Sequence, residues 1–395
     1  MAIAGSVRTD PKVDEVRAHL PAVFRTGYFN AGTNGPLPDL AVAALTEAAT
    51  KELKHGRIGP GLYEGIKADW QRLRFRLASL LEVDESEIAL TRSTTEGINI
   101  SLFGLDWRRG DEIITTTLEH PGVIAPLTLI AHRFGVNLRY ADIGNGQCDL
   151  GAVLGELITS RTRAIALSHI MWSTGAVIPL EEVTAVAHRH RLLVIVDAAQ
   201  SAGQIRPRLR ESGVDTYAIS GQKWLCGPGG TGALYVRQDR LTHIRPTYVR
   251  MAQSDPSGYI IPAAGAARFE IGEFYTPALL AQLATLTWLE DEVGHDWMYD
   301  RVAALGQRCW SGLNAVDGVT IITPRDQMAG IVCFNVDGMH PRDVMESLES
   351  TGYTIRYVEY APGPTVARVS NSWWNTEDEV DGLVDAVAQI AARQD

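Results

Sequence analysis

The sequence of 395 residues is poor in lysine. Of its 36 Lys and Arg residues only five are lysines, namely Lys12, Lys51, Lys54, Lys67 and Lys223. The segment from residue 68 to residue 395 therefore holds one lysine, Lys223. Codon bias explains a low lysine content wherever only positive charge matters. Arginine does not lose its proton in proteins, however, and cannot replace a lysine that acts as nucleophile or base. Lys223 is therefore a candidate for a chemical role.

Cysteine, long apolar runs and positive charge are also scarce. The four cysteines lack the CxxC spacing of zinc sites, which favours reduced thiols and predicts no metal site. No stretch approaches 18 apolar residues and the N-terminus has no apolar signal-peptide core, so we expect a cytoplasmic protein without a membrane partner. The net charge of −11 opposes binding to a phosphate backbone, so nucleic acid is not an expected partner.

Short apolar runs alternate with helical segments over much of the chain. The runs are EIITTT, NLRYADI, RAIALSH, LLVIVDA, TYAIS and GALYV. Apolar strands interleaved with helices favour an α/β fold with a buried, mostly parallel sheet. We predict a large sheet domain over residues 25–262, then a linker and a smaller α+β domain over residues 263–395. A helix within residues 1–24 is predicted to pack on the small domain.

Polar residues follow the predicted strands at positions where open α/β sheets bind ligands. Asp197 ends the run LLVIV, although an Asp that only caps a turn is the alternative. Lys223 lies 26 residues further on, after another apolar run, so both groups are expected to face one crevice. Ser93, Thr94 and Thr95 open a helix, whose free N–H groups and hydroxyls favour a phosphate. An ordinary helix cap explains these three residues equally well.

Several longer motifs carry a family resemblance. They are STTEG, LEHPG, SHIMWSTG, VDAAQSAG, SGQKWLCGPGG, RFEIG and RVSNSWWNTEDE. Their order resembles that in pyridoxal-phosphate (PLP) enzymes of aminotransferase class V, the cysteine desulfurase-like group. The motifs are most similar to those of cystine or cysteine C–S lyases and isopenicillin-N-epimerase-like proteins. The resemblance implies PLP as cofactor, fold type I with a seven-stranded sheet, and a homodimer with shared active sites.

The resemblance also implies roles for the residues around the cofactor. Lys223 would hold PLP as a Schiff base and move a proton at Cα, while Asp197 would pair with the pyridinium nitrogen. His120 would stack on the ring and Gln200 would bind the ring hydroxyl. The residues implied at the phosphate are Ser93, Thr94, Thr95, Ser220 and Gln222. Glu273 stands where relatives use Thr to reach the neighbouring subunit's phosphate. Because a carboxylate there would be repelled, the role of Glu273 is open, and Tyr275 or Thr276 is expected to make that contact instead.

The substrate contacts implied by the resemblance lie in four segments. Arg368 matches the arginine that binds the substrate α-carboxylate, a task suited to a bidentate guanidinium. Arg356 is a second candidate clamp. Ala31 and Gly32 would approach the substrate from the N-terminal side, and Trp172 stands where desulfurases usually have Asn. The implied substrate is a small molecule, an amino acid.

A departure from the family pattern shapes the functional hypothesis. Desulfurases carry a nucleophilic cysteine shortly before the carboxylate-binding arginine, but the segment 355–364 contains none. We therefore expect β-elimination, with cleavage of a C–S bond, on cysteine or an S-substituted cysteine. Transamination, epimerisation and decarboxylation remain alternatives, as does a scaffold that binds PLP without catalysis. Four aromatic residues are candidates for a pocket around a bulky sulfur substituent: Trp172, Tyr360, Trp373 and Trp374. For the last two, core packing is at least as good an explanation.

Overall fold

The computed structural model describes residues 10–248, 252–254, 257, 260–262, 264–272 and 274–393. Its α-helices are α1 Pro11–Ala18, α2 Asp39–His55, α3 Leu62–Leu81, α4 Thr94–Phe103, α5 Pro121–Phe134, α6 Leu150–Leu157, α7 Leu180–Arg189, α8 Leu209–Ser212, α9 Thr276–Trp288, α10 His295–Asn314, α11 Pro341–Ser350 and α12 Glu377–Ala391. Its strands are β1 Gly27–Tyr28, β2 Ile88–Thr91, β3 Glu112–Thr116, β4 Asn137–Ala141, β5 Thr162–Ser168, β6 Leu193–Asp197, β7 Thr216–Ser220, β8 Gly232–Val236, β9 Ala252–Ser254, β10 Ile260–Pro262, β11 Val319–Ile321, β12 Ile331–Val336, β13 Tyr353–Thr354, β14 Arg356–Val358 and β15 Val366–Ser370.

A seven-stranded sheet forms the centre of the large lobe. Its strand order is β2-β8-β7-β6-β5-β3-β4, and within it only β8 runs antiparallel to its neighbours. The prediction of an α/β fold with a mostly parallel seven-stranded sheet is confirmed. Six of its strands were predicted from the apolar runs, and β2 was not.

Both faces of the sheet are covered, which explains why its strands are almost continuously apolar. Successive side chains point to opposite faces of a strand. Ile114 and Val194 belong to one buried cluster, whereas their neighbours Ile113 and Ile195 belong to the other. Helices therefore pack on each side, and polar residues concentrate at the strand ends.

The carboxyl ends of four strands meet at one edge of the sheet. β3 ends at Thr116, β5 at Ser168, β6 at Asp197 and β7 at Ser220. Ser168 and Asp197 are register partners, and Asp197 is in turn paired with Ala218. This edge carries the predicted site residues.

A second, antiparallel sheet of order β11-β12-β15-β14 lies in the C-terminal part. It shares a third buried cluster with residues of α10, α11 and α12. The N-terminal segment joins this part of the molecule. β1 pairs with β13, and Arg17 of α1 donates to Glu379 of α12 at 2.7 Å. The domain boundaries at residues 24 and 262 stay predictions.

No helix in the described part of the chain is both long enough and apolar enough to cross a membrane.

Candidate active site

Lys223 lies in the tight loop between β7 and β8, at the edge where the parallel strands end. The loop closes on itself, because the Gly227 N–H donates to the Gly221 carbonyl at 2.8 Å. Lys223 is partly open to the cleft but densely surrounded by protein atoms. This burial is the main reason that the pKa of its amine is lowered to about 8. The negative charge of Asp197 opposes the shift, and the positive charges of Arg368 and Arg356 add to it. A substantial share of the amine is therefore neutral near physiological pH.

Asp197 is buried at the end of β6. Its Oδ1 accepts a hydrogen bond from the Ala199 N–H at 2.9 Å, which orients the carboxylate. Burial raises the pKa of Asp197, while the Ala199 N–H and the Lys223 charge lower it. The carboxylate is thus poised to pair with a further positive group in the cleft.

His120 caps the N-terminus of α5 with its ring. Its Nδ1 accepts a hydrogen bond from the Gly122 N–H at 3.0 Å, so the ring proton is on Nε2. Burial, with the charges of Lys223, Arg368 and Arg356, lowers the pKa of His120 to about 4. The ring of Trp172 meets it edge to face at 4.8 Å between centroids. His120 is therefore a neutral, firmly oriented ring.

The start of α4 collects the hydroxyls predicted to bind phosphate. Ser93 is the N-cap, with its Oγ accepting from the Glu96 N–H at 3.2 Å. Thr94 Oγ1 and Ser220 Oγ lie 2.7 Å apart, which links α4 to the end of β7. Thr95 Oγ1 lies beside Gly122, where an added Cβ would come within 2.8 Å of it.

Gln222 supplies an unpaired polar atom near this cradle. Its side-chain Oε1 is buried and accepts no hydrogen bond from the described residues. An amide flip exchanges this acceptor for a donor without moving the backbone. The donors at the start of α4, together with Gln222, fit a phosphate group.

Arg368 is fully buried on β15, with 1% of its surface exposed. Its Nη1 donates to the Trp172 carbonyl at 3.2 Å and its Nη2 to Thr33 Oγ1 at 3.3 Å. Its Nε has no hydrogen-bond partner and no carboxylate pairs with it among the described residues. Burial lowers the pKa of Arg368 to about 10. A buried guanidinium without a counter-charge fits an anion supplied by a ligand.

Arg356 stands directly opposite Arg368 in the antiparallel pair of β14 and β15. Like charges at such positions destabilise a sheet. Arg356 is exposed, and its charge reaches both Lys223 and His120. The two arginines therefore raise the positive potential of the same cleft.

The N-terminal turn reaches the cleft through Gly32. A Cβ added at Gly32 would lie 2.9 Å from Nη2 of Arg368, so the turn packs directly on the guanidinium. Gln200 bridges this turn to the lysine loop, since its amide donates to the Gly32 carbonyl at 2.9 Å and accepts from Trp224 Nε1 at 3.0 Å. Ala31 is buried beside it. These contacts join three distant segments at one site.

Thr276 lies elsewhere in the chain. It begins α9 and lines a cavity of about 320 Å³ with residues of α2 and α3, and none of the other predicted site residues lines that cavity. A single chain therefore does not bring Thr276 to the Lys223 cleft. Glu273 lies outside the described residues.

Thr33, in the same N-terminal turn as Gly32, accepts a hydrogen bond from Arg368. One residue that the sequence did not single out also belongs to the site. Glu119, next to His120, is buried and accepts from Thr116 Oγ1 at 2.7 Å and from Ser168 Oγ at 2.6 Å. Burial raises the pKa of Glu119 to about 7. The only sequence signal for Glu119 was its position next to His120.

Within the described residues no group of three or more His, Cys, Asp or Glu side chains is arranged to hold a metal ion.

Comparison with known proteins agrees with this geometry. A probable cysteine desulfurase 2 of Mycobacterium leprae (strain TN) is 32% identical over 403 residues, covering 94% of this chain and 95% of that protein. The cystine C–S lyase C-DES in complex with its reaction product cysteine persulfide has a TM-score of 0.88 at 34% identity, covering 93% of this chain and 99% of that one. A lysine-to-alanine mutant of C-DES with glycine covalently linked to the PLP cofactor has a TM-score of 0.89 at 34% identity, covering 94% and 98% of the two chains.

The family assignment rests on nearly the whole chain. The aminotransferase class-V family matches residues 29–384, which include every site residue predicted above. The predicted resemblance is confirmed, and the chain belongs to the aminotransferase class-V family.

Proposed function

We propose that this protein is a PLP-dependent C–S lyase that catalyses β-elimination from cysteine or an S-substituted cysteine. The observation that carries the proposal is a lysine of lowered pKa, partly open to the cleft, beside a buried acid and a buried arginine that has no counter-charge among the described residues. The likeness to C-DES, described as a cystine C–S lyase, supports this reaction type. The products would be a thiol and, after hydrolysis, pyruvate and ammonia.

The residues of the cleft fit PLP. Lys223 would hold it covalently, Asp197 would face its ring nitrogen, and His120 would lie against its ring. The hydroxyls at the start of α4, with Ser220 and Gln222, would hold its phosphate, and Gln200 its ring hydroxyl. When bound, PLP supplies an electron sink that stabilises negative charge at the substrate Cα.

Lys223 is suited to move a proton at the substrate Cα. An amine whose pKa lies near 8 is partly neutral at pH 7 to 8 and can accept a proton, then give it up again. The loop hydrogen bonds around Gly221 and Gly227 hold the residue at the cleft edge. A lysine with an unperturbed pKa of about 10.4 would be almost fully protonated and a poor base.

Arg368 and Arg356 would orient the amino acid through its carboxylate. Arg368 has free donor capacity, because two of its five N–H groups are engaged by acceptors among the described residues. A carboxylate there would relieve the cost of the buried, unpaired charge. Gly32 leaves room for this contact, since any side chain at that position would approach the guanidinium.

The cysteines of the chain support elimination rather than persulfide transfer. The segment between Arg356 and Arg368 contains no cysteine. Cys226 and Cys333 are buried, and burial raises the pKa of each thiol, to about 12 for Cys333. A nucleophilic thiol needs exposure and a lowered pKa. Cys148 is exposed, yet its pKa is also raised, chiefly by desolvation and then by nearby carboxylates.

The decisive test is product analysis of purified wild-type protein and the Lys223→Ala variant. With PLP and a panel of S-substituted cysteines, the wild type should release thiol and pyruvate in equal amounts; with cystine it should release cysteine persulfide and pyruvate, and Lys223→Ala should release none of these products. The variant should also lose the absorbance band of covalently held PLP. A requirement for an amino acceptor, or solvent deuterium at an inverted Cα, would replace elimination by transamination or epimerisation.

We further propose a homodimer with shared active sites. Apolar side chains of the α2–α3 region are exposed in the single chain, with Ile58 at 95% and Leu53 at 85%. The cavity that contains Thr276 opens beside them, where a partner's ligand could reach it. Ile58→Glu should convert a dimer to monomers in analytical ultracentrifugation. A wild-type monomer would contradict this proposal.

A cytoplasmic location is proposed as well. The four cysteines are free thiols, and three of them are buried. Free thiols are typical of proteins in a reducing compartment such as the cytoplasm. Fractionation of cells that express the native protein tests it.

A further inference from the structure

A second cavity opens beside the Lys223 cleft, at the carboxyl ends of β3 and β4. Its volume is about 210 Å³, and its walls come from the end of β3, the start of α5, β4 and the loop after β14. Thr117 and Glu119 form the wall nearest the sheet, Ile124 the helical wall, and Tyr360 and Pro362 the outer rim. None of the residues predicted to hold PLP lines it.

A chain of aromatic contacts connects the cavity to the cleft. Tyr360 on the cavity rim meets Trp172 edge to face at 6.1 Å, and Trp172 meets His120 at 4.8 Å. Trp172 also accepts a hydrogen bond from Arg368 through its carbonyl. The cavity therefore lies directly behind the rings of Trp172 and His120, which border the cleft of Arg368 and Lys223.

The lining of the cavity is partly polar and partly apolar. The hydroxyls of Thr117, Tyr140 and Tyr360 make no hydrogen bonds within the described residues, whereas Ile124 and Pro362 are apolar. Glu119, whose pKa is raised to about 7, is the one carboxyl group in this lining, and no cationic side chain of the described residues joins it. The positive groups Arg356 and Arg368 belong to the neighbouring cleft.

We propose that this cavity binds the sulfur substituent of an S-substituted cysteine, and that the preferred substituent is an uncharged ring. The proposal rests on the C–S lyase function above and specifies its substrate class. A cavity of about 150 Å³ is sufficient to hold benzene in an apolar protein interior. A volume of about 210 Å³ therefore accommodates one substituted ring, whose polar groups meet the three free hydroxyls.

The same lining selects against an anionic substituent. A carboxylate carried into the cavity would lose water, find no cation, and approach Glu119. Cystine carries such a carboxylate on its distal half. S-benzyl-L-cysteine is thus expected to be a better substrate than S-(4-carboxybenzyl)-L-cysteine, by about tenfold or more in kcat/KM.

Ile124→Trp tests the site by filling the cavity from the helical wall. Leu129→Trp, at an exposed position of the same helix, is the matched control. Three quantities are measured on the PLP-loaded enzyme: the KM of S-benzyl-L-cysteine, its Kd by calorimetry, and kcat/KM for β-chloro-L-alanine, which has no large substituent. Ile124→Ala, which enlarges the cavity, covers the case in which the tryptophan variant fails to fold.

The expected result is a rise of about tenfold in KM and Kd for S-benzyl-L-cysteine in Ile124→Trp, with β-chloro-L-alanine and Leu129→Trp unchanged. Ile124→Ala should lower the KM of S-(naphthylmethyl)-L-cysteine relative to the KM of S-benzyl-L-cysteine. Equal Kd values in wild type and Ile124→Trp would overturn the pocket assignment while leaving elimination intact. If the wild type eliminates neither substrate, the C–S lyase proposal fails, and the Kd comparison still decides the pocket.

Discussion

Two clusters of cationic side chains in this protein differ in how their charge is balanced. In the junction cluster (Arg17, Arg301, Glu377, Glu379), each arginine pairs with a carboxylate at the start of α12. Arg301 also donates to the carbonyls of Trp373 and Asn375, at 3.1 and 2.6 Å. In the cleft cluster (Lys223, Arg356, Arg368, Asp197), the charge of the buried Asp197 acts on Lys223, and no carboxylate pairs with Arg368 among the described residues.

The difference separates cations that stabilise the fold from cations that bind a ligand. A paired and hydrogen-bonded charge is costly to remove, because its partners are left buried and unsatisfied. An unpaired buried charge lowers the stability of the free protein and gains from an anion that arrives with the substrate. Arg301 and Arg368 are both buried, yet the expected effects of removing their charges on stability and on activity are opposite.

The largest expected effect is on activity in Arg368→Met. Truncating one partner of a buried charge pair costs several kcal/mol, so kcat/KM should fall by about 10³-fold. The free energy of unfolding should stay equal or rise, because an unpaired charge is removed. Steady-state kinetics and urea titration measure both. Arg356→Met, at an exposed position, should lose only about tenfold. If Arg368→Met were less stable than wild type but kept a normal KM, Arg368 would stabilise the fold, as the arginines of the junction cluster do.

Arg301→Met should show the converse pattern. It leaves Glu377 and two buried carbonyls without their donor, so stability should fall by about 3 kcal/mol. The measure is the urea midpoint at constant slope. Arg308→Met on the same helix breaks only an exposed pair with Asp381 and should cost at most about 1 kcal/mol. Similar losses in the two variants would remove the distinction between buried and exposed pairs.

Lys223→Met probes the cleft through the pH dependence of stability in the protein without PLP. The pKa of Lys223 is lowered to about 8 in the folded state, so the folded protein binds this proton less well than the unfolded one. Below pH 8 that difference destabilises the wild type, and it disappears as pH rises past the unfolded value of about 10.4.

The Lys223→Met variant should therefore be about 2 kcal/mol more stable than wild type at pH 7, after allowance for partial exposure. The difference should shrink between pH 8 and 10.5. Lys67→Met on exposed α3 surface is the control, with a change below about 0.5 kcal/mol at either pH. If the difference in unfolding free energy between Lys223→Met and wild type did not vary with pH, it would result from packing and not from charge.

The smallest effect is expected for Gly32→Ala. The new Cβ would lie 2.9 Å from Nη2 of Arg368 and 3.0 Å from Ser370 Oγ, so the guanidinium must shift by a few tenths of an ångström. KM should rise by about tenfold, with a smaller change in kcat. Gly65→Ala, where an added Cβ meets nothing within 4 Å, should leave KM unchanged. An unchanged KM in Gly32→Ala would mean that the guanidinium position does not limit binding.

Much of the fold follows from local pattern. The strands β3 to β8 coincide with the apolar runs, because strands buried on both faces must be apolar throughout. The short edge strand β2, four residues long, was missed because a run of that length has no clear period. The antiparallel direction of β8 could not be predicted either, because the apolar content of a strand indicates its burial and not its direction.

The aromatic residues show the same limit. Trp172 and Tyr360 come together beside His120, as the pocket hypothesis required. Trp373 and Trp374 are instead fully buried, and the ring of Trp373 packs 5.8 Å from that of Trp288. Core packing is therefore correct for these two, because only the fold decides which face of a segment meets solvent.

By itself the sequence determined which residues can do chemistry: a rare lysine after one strand, an acid after another, and an arginine in a recognisable motif. The tertiary structure alone decided that, in the described part of the chain, Arg301 has a carboxylate partner and Arg368 has none. It also decided that Glu119 and Tyr360, far apart in the chain, line one cavity. Charge balance and cavity shape depend on contacts between distant segments, and no local pattern of residues encodes those contacts.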